Sequence, residues 1–301
     1  MNHETGGRGP VWMFVLSMLI FGTIGIFRRI IPVSSAFLTF SRGILGGLCI
    51  LVFIRLKKGN AGERLLLRAA AKLALTGAMI GINWILLFEA YNHTTVAVAT
   101  LCYYMQPTIV ILLSPLIFRE RLTAKKAACA AVAVAGMVLV SGAAGGSPPG
   151  GSVRGVLPGL GAAVFYSAVV IMNKKTGGID PYRKTAVQLL SAGAVMIPYL
   201  LFTDGFRGAE FTPASAALLL TVGVVHTGIA YVLYFASIDR LNVQSVAILS
   251  YIDPVSALLF SAVLLREPLS LPAAAGAVLI IGSALVSEAP SPSGKAKKAE
   301  P

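Results

Sequence analysis

The chain has 301 residues, of which 56% are hydrophobic and only 12% are charged, and its formal net charge is +13. An average soluble domain is about 25% charged, so this composition excludes a water-soluble globule and predicts an integral membrane protein. The basic residues form short clusters between apolar segments, which is typical of membrane loops and argues against a nucleic-acid partner. The three cysteines all lie inside apolar segments, so no disulfide framework is expected.

Apolar segments follow one another along the whole chain, separated by Gly, Pro, Asn or charged residues. A helix needs about 20 apolar residues to cross a bilayer, and the segments lack the alternation of barrel strands. The first segment ends in Arg28 and Arg29 without a signal-peptide cleavage pattern, so we expect it to be retained. The fold class predicted is therefore all-α integral membrane with ten transmembrane helices. The predicted spans are 11–31, 34–55, 70–91, 95–118, 124–141, 154–174, 183–203, 214–237, 243–264 and 270–287.

The distribution of Lys and Arg predicts the orientation of these spans. With the N-terminus inside, 19 of the 25 basic residues fall on the inner side, five fall on the outer side, and Arg42 lies within a span. Cytoplasmic loops carry the positive excess in membrane proteins. We therefore expect both termini to be cytoplasmic.

The second half of the chain repeats the first at an offset of 147 residues, without a gap. A mid-span proline and an Arg-Glu pair at a helix end coincide in both copies. Five spans per half is an odd number, so the halves are predicted to cross the membrane in opposite senses, as in inverted-repeat transporters. The matched residues are Phe88, Val96, Tyr104, Pro107, Leu112, Ser114, Arg119, Glu120 and Leu122 with Phe235, Val243, Tyr251, Pro254, Leu259, Ser261, Arg266, Glu267 and Leu269. The domains expected are a cytoplasmic tail (1–10), a first repeat (11–142), a linker (143–153), a second repeat (154–287) and a disordered cytoplasmic tail (288–301).

These two copies resemble tandem EamA-type repeats of the drug/metabolite transporter superfamily. The resemblance covers nearly the whole chain apart from its tails. It implies a ten-helix carrier of the inner membrane, of a kind that commonly exports amino acids or related metabolites and in some cases exchanges protons. The sequence departs from the usual pattern at Asp253, directly before the second-half proline, where an uncharged residue is expected.

Ionisable residues inside spans are costly and therefore mark functional candidates. Asp253 and His226 are the candidates for proton coupling, and a permanently paired acid and a histidine bonded between helices are the respective alternatives. Arg42 is a candidate for binding a substrate carboxylate. The alternatives for Arg42 are a static ion pair with Asp253 and snorkelling. Glu89, near the outer end of the third span, is given at most a secondary role.

Pro107 and Pro254 occupy corresponding mid-span positions, where each removes a backbone donor, and interrupted helices in both halves point to the binding site. A kink that only shapes packing is the alternative. Aromatic and amide side chains near these prolines suit a small zwitterion or an organic cation, although Tyr and Trp also form interface belts. The predicted substrate-binding residues are Arg42, Asn83, Trp84, Tyr104, Gln106, Tyr231 and Tyr251.

The function predicted is secondary active transport of small polar metabolites, with proton-linked export of amino acids or related compounds preferred. An ion-independent facilitator, an exchanger or an importer is the alternative. A membrane-embedded enzyme is disfavoured because zinc-helix, nucleophile-elbow, CxxC and P-loop motifs are missing from the sequence. The expected partners are a small-molecule substrate and the lipid bilayer, with no metal or cofactor, and a homodimer remains open. The pairs Arg119-Glu120 and Arg266-Glu267 are interpreted as stop signals at helix ends, with gating ion pairs as the alternative.

Overall fold

A computed structural model describes residues 8–57, 67–118, 122–140, 153–174, 176, 178–202, 212–238, 240–241, 246 and 249–288. The pair Arg119-Glu120, residues 143–152 of the predicted linker and most of both predicted tails lie outside these ranges. Every element within them is a helix, which confirms the all-helical fold.

The helices are labelled α1 to α10 according to the predicted span that each matches. They are α1 (Arg8–Gly22 and Ile24–Ile30), α2 (Ser35–Leu56), α3 (Leu67–His93), α4 (Val96–Tyr103 and Gln106–Phe118), α5 (Ala124–Val140), α6 (Val153–Lys174), α7 (Pro181–Ala194 and Met196–Phe202), α8 (Pro213–Leu220, Thr221–Ile229 and Ala230–Ile238), α9 (Ile252–Leu264) and α10 (Leu271–Glu288). Within the described residues, seven of these helices, α1 to α4 and α6 to α8, are long and apolar enough to cross a membrane. The helices α9 and α10 are apolar but shorter, so ten crossings remain a prediction.

Several helices are interrupted, and the interruptions have local causes. In α1 the Thr23 hydroxyl donates to the carbonyl of Ile20 at 2.7 Å, next to the break. In α7 the break at Val195 lies just before Pro198, which has no N–H to continue the helical bonding. The middle of α8, Thr221–Ile229, is a π-helix, a geometry that occurs frequently at functional sites.

The two halves pack against each other through reciprocal pairs of helices. The helix α2 packs on α7, and α5 packs on α10, which are the equivalent elements of the two repeats. The packing of α3 on α6 is matched by that of α8 on α1, and the packing of α3 on α7 is matched by that of α8 on α2. This pattern fits two similar halves related by a two-fold axis.

Small residues bring the backbones of paired helices into contact. A Cβ atom added to Gly43 of α2 would lie 2.6 Å from the backbone nitrogen of Gly193 in α7. A Cβ atom added to Gly136 of α5 would lie 2.8 Å from the carbonyl oxygen of Gly276 in α10. Lipid provides little hydrophobic force between helices, so such close approach supplies the van der Waals contact that holds them together.

Candidate functional site

Arg42 of α2 is a buried cation at the interface between the two halves, with 6% of its surface exposed. Its Nε donates to the Thr227 hydroxyl of α8 at 2.8 Å. The guanidinium carbon lies 4.0 Å from the centroid of the Trp84 ring, a cation–π geometry. Within the described residues, the terminal nitrogens of Arg42 make no hydrogen bond, although they are not sealed from solvent. The donor edge that binds carboxylates bidentately is therefore available.

Asp253 of α9 lies across the interface and is held by the first half. Tyr104, at the break in α4, donates its hydroxyl to Asp253 Oδ2 at 2.6 Å. The second carboxylate oxygen, Oδ1, accepts no hydrogen bond from the described residues and is not sealed from solvent. The backbone carbonyl of Asp253 accepts from the Ser256 hydroxyl at 2.9 Å. The acid thus keeps one oxygen available for a ligand or a proton.

Arg42 and Asp253 interact electrostatically without forming a direct ion pair. Within the described part of the chain, the ion pairs shorter than 4.0 Å are Arg29 with Glu267 and His93 with Glu89. The static Arg42–Asp253 pair considered from the sequence is therefore not formed in this structure. A cation and an anion that interact without forming an ion pair can hold the two ends of a zwitterion.

Tyrosine side chains surround these two charges. Tyr231 stacks on Phe235 with ring centroids 6.1 Å apart and interacts electrostatically with both Arg42 and Asp253. Tyr103 and Tyr166 have ring centroids 5.5 Å apart, and both interact electrostatically with Asp253. The sequence analysis did not select Tyr103 or Tyr166 as binding residues. Both are polar aromatic residues in the middle of apolar spans, and this feature of the sequence could have identified them.

His226 lies beside the charged pair but is tied to α1. Its Nε2 is 2.8 Å from the Thr23 hydroxyl oxygen, and its ring meets Phe27 edge-on with centroids 4.4 Å apart. The Thr23 hydroxyl also lies 2.7 Å from the Ile20 carbonyl, so it bridges His226 and its own helix. The other ring nitrogen, Nδ1, is buried. Burial of both ring nitrogens makes a charged imidazolium costly at this position.

The remaining predicted residues occupy different positions in the fold. Asn83 has no exposed surface, and its Nδ2 donates to the Ala162 carbonyl of α6 at 2.6 Å. Gln106 begins the second part of α4, where its carbonyl accepts from the Ser167 hydroxyl at 3.1 Å. Tyr251 is half-buried directly before α9.

Pro107 and Pro254 each lie in the first turn of a helix, after the break in α4 and at the start of α9. A proline is tolerated there because the first backbone N–H groups of a helix have no partner within that helix. The prolines thus accompany helix starts that place Tyr104 and Asp253 next to each other.

The sequence of this chain is similar to those of several known proteins. The uncharacterized transporter YxxF of Bacillus subtilis is 28% identical over 83% of this chain and 79% of its own. A protein of Salmonella typhimurium described as a probable amino-acid metabolite efflux pump is 31% identical over 61% of this chain and 64% of its own. Protein PecM of Dickeya dadantii is 26% identical over 76% of this chain and 77% of its own.

The fold also matches a solved protein structure. A protein of known crystal structure superposes with a TM-score of 0.65 at 22% identity, covering 92% of this chain and 97% of that one. The model of the EamA-like transporter family matches twice, over residues 8–142 and 153–288. Two matched copies account for both halves of the chain, so this protein is a member of the EamA-like transporter family.

Proposed function

We propose that this protein is a secondary transporter that exports amino acids or related small polar metabolites in exchange for protons, by alternating access between its two halves. The observation that carries the proposal is the cation and anion of Arg42 and Asp253, between which we place a substrate chamber. Arg42 is buried and Asp253 is half-buried near aromatic rings, the two do not form an ion pair, and each keeps polar atoms available for a ligand. Ionisable residues in this situation mark substrate and proton pathways.

The chemistry of the chamber supports a zwitterionic substrate. The free edge of Arg42 suits a carboxylate, and Asp253 Oδ1 suits an ammonium group. The rings of Trp84, Tyr166 and Tyr231 suit the rest of a small molecule, because aromatic walls with a few polar groups are typical of ligand sites. The direction of transport is inferred from the family resemblance and from the relative described as an efflux pump.

Asp253 is our assignment for the proton carrier. Its Oδ1 is available to a proton, whereas both ring nitrogens of His226 are enclosed, Nε2 by its bond to Thr23 and Nδ1 by burial. We assign His226 and Asn83 to helix–helix contacts instead. The exchange is then simple, because a protonated Asp253 loses its attraction for a substrate ammonium group and an ionised Asp253 regains it.

The arrangement in the membrane is proposed from the sequence. Ten spans, with repeats at 11–142 and 154–287, place both termini in the cytoplasm of a cell whose inner or plasma membrane holds the protein. Labelling of each terminus in intact cells tests this topology, and termini on opposite faces would contradict it.

The test of function is flux in proteoliposomes under an imposed pH gradient, using a panel of labelled amino acids. We expect a gradient to accelerate flux in the wild type and in His226→Gln, which keeps a donor toward Thr23. We expect Asp253→Asn to lose the acceleration. Glu89→Gln is a matched control, because within the described residues the hydrogen bond and the ion pair of Glu89 are to Asn92 and His93 of its own helix.

Three results would change the proposal. Flux that ignores the gradient in the wild type would indicate an ion-independent facilitator or exchanger. Gradient-driven flux that survives Asp253→Asn would remove Asp253 from the proton pathway. Accumulation against the proposed direction in oriented vesicles would indicate an importer.

A further inference from the structure

The carboxylate of Glu267 joins three helices at one end of the molecule. Its Oε1 accepts from Arg29 at the end of α1, at 2.8 Å. Its Oε2 accepts from the backbone N–H of Val96 at the start of α4, at 2.7 Å, and from the Ser261 hydroxyl of α9, at 2.6 Å. Only 13% of the Glu267 side chain is exposed. The bonds to Arg29 and Val96 cross between the two halves of the protein.

The backbone before Glu267 is shaped to hold it there. Arg266 has a φ angle of 52°, and it is the non-glycine residue with positive φ in the described structure. This left-handed conformation is unfavourable for a side chain with a Cβ atom. It turns the chain back over α9, so that the N–H of Glu267 donates to the Ser261 carbonyl at 3.2 Å. Strained backbone of this kind clusters at switch regions and ligand clamps.

Two buried residues, Tyr91 of α3 and Thr100 of α4, form a layer near Glu267. Their hydroxyl oxygens are 3.3 Å apart. Tyr91 interacts electrostatically with Arg42, Asp253 and Glu267, so it is near both the proposed chamber and the carboxylate network. The two residues are 3% and 4% exposed, so solvent barely reaches this layer in the structure.

We propose that Glu267 is the latch of the gate at this end, and that transport requires the release of its bonds to Arg29 and Val96. The helix α9 carries Asp253 near its start and leads into Glu267, so one rigid element connects the chamber to the latch. The inference rests on the proposed function only in taking the chamber as the substrate site. The sequence analysis favoured a stop signal for Arg266-Glu267, with a gating ion pair as the alternative. The latch takes up that alternative.

The test measures access to the layer behind the latch, without any substrate. Cys49, Cys102 and Cys129 are replaced by alanine, and Thr100→Cys provides one thiol between the latch and the chamber. A membrane-impermeant maleimide is applied in turn to each face of oriented vesicles. We expect Glu267→Gln to raise the labelling rate from the Glu267 side about tenfold, because charge-assisted bonds hold the closed state. Labelling from the other face should not rise.

Two further variants separate a latch from a general loss of structure. Glu89→Gln removes a carboxylate of α3 at the same end of the molecule as Glu267. The hydrogen bond and the ion pair of Glu89 in the described residues lie within α3, so this variant should label as slowly as the wild type. Arg29→Gln removes the Oε1 partner alone and should raise labelling in the same direction. If Glu267→Gln does not fold, judged by gel filtration, Arg29→Gln decides the question.

Unchanged labelling in folded Glu267→Gln or Arg29→Gln protein, or an equal rise from both faces, would overturn the latch. A flux experiment that fails for every amino acid would overturn the proposed substrate and leave this result intact. The two proposals therefore fail separately.

Discussion

Replacing Arg42 by lysine is expected to weaken binding of the substrate carboxylate while the positive charge is kept. Arg42 uses Nε to bond Thr227 and leaves its two terminal nitrogens for a ligand. Lysine has a single ammonium group without the planar fork, so it cannot hold Thr227 and both carboxylate oxygens in the same geometry. Arg42→Gln removes the charge as well.

The size of the effect follows from the bonds lost. A hydrogen bond to a charged group contributes about 1.5–3 kcal/mol, and about 1.4 kcal/mol corresponds to a tenfold change in Kd. Loss of one of the two bonds in Arg42→Lys therefore predicts a Kd that rises about 10- to 150-fold. In Arg42→Gln both charged bonds are lost, and binding should fall below detection.

Trp84 provides a built-in assay, because the Arg42 guanidinium lies against its ring. The chain has two tryptophans, and Trp12 is 67% exposed, so Trp12→Phe leaves Trp84 as the single reporter. A thermal-stabilisation screen selects the amino acid that binds best, and its decarboxylated amine is the matched ligand.

We expect Arg42→Lys to weaken binding of the amino acid. The Kd of the amine should change less than about twofold, because the amine has no carboxylate for Arg42 to bind. An equal loss for both ligands would refute the assignment of Arg42 to the carboxylate.

Three other substitutions test separate contacts. Tyr104→Phe removes the donor to Asp253 Oδ2 and should reduce gradient-driven flux in proteoliposomes by about tenfold, since a bond to a charged group is lost. Thr227→Val removes the acceptor for Arg42 Nε and should raise the amino-acid Kd about three- to tenfold in the fluorescence titration. Asn83→Leu breaks the bond to Ala162 and should lower the unfolding temperature in detergent by a few degrees with Kd unchanged, whereas a changed Kd at unchanged stability would return Asn83 to the binding site.

The sequence was sufficient for the helices because lipid imposes a simple rule on it. A helix is required wherever about 20 apolar residues must satisfy their backbone groups without water. The repeat was visible because Pro107 and Pro254, rare events in a span, recur at the same offset. The interruption at Thr23 and the π-helix in α8 were not predicted, because neither a side-chain bond to the preceding turn nor a change of helix type leaves a pattern in the hydrophobicity.

The site was partly visible for a similar reason. Arg42 and Asp253 stood out because a charge in a span is costly, and in the structure they interact electrostatically. Their partners did not stand out. Thr227 is a residue type common in membrane helices, and its role arises only because the π-helix turns its hydroxyl toward Arg42. Whether Asn83 lines a cavity or fastens two helices depends on the neighbouring helix α6, which no local pattern specifies.

The contacts between the halves divide into two kinds, and this division makes a final prediction. Polar bonds such as Tyr104 to Asp253 and Arg29 to Glu267 join the halves along the proposed route of the substrate, where they would break and re-form. The contact between α5 and α10 is instead apolar and close, at Gly136 and Gly276. Rocking of the halves then requires the polar bonds to exchange while α5 and α10 stay together as the pivot.

A disulfide between α5 and α10 tests this pivot in the cysteine-free background. A Cβ atom built on Gly136 lies 3.0 Å from the Cβ of Leu279, and disulfides join Cβ atoms about 3.5–4.5 Å apart. A shift of about half an ångström therefore permits a bond between Gly136→Cys and Leu279→Cys. We expect the oxidised double variant to transport at about the rate of its reduced form, because the pivot does not open. Arrest by oxidation and recovery on reduction would mean that α5 and α10 must separate, and rocking about this contact would be the wrong description of the transport cycle.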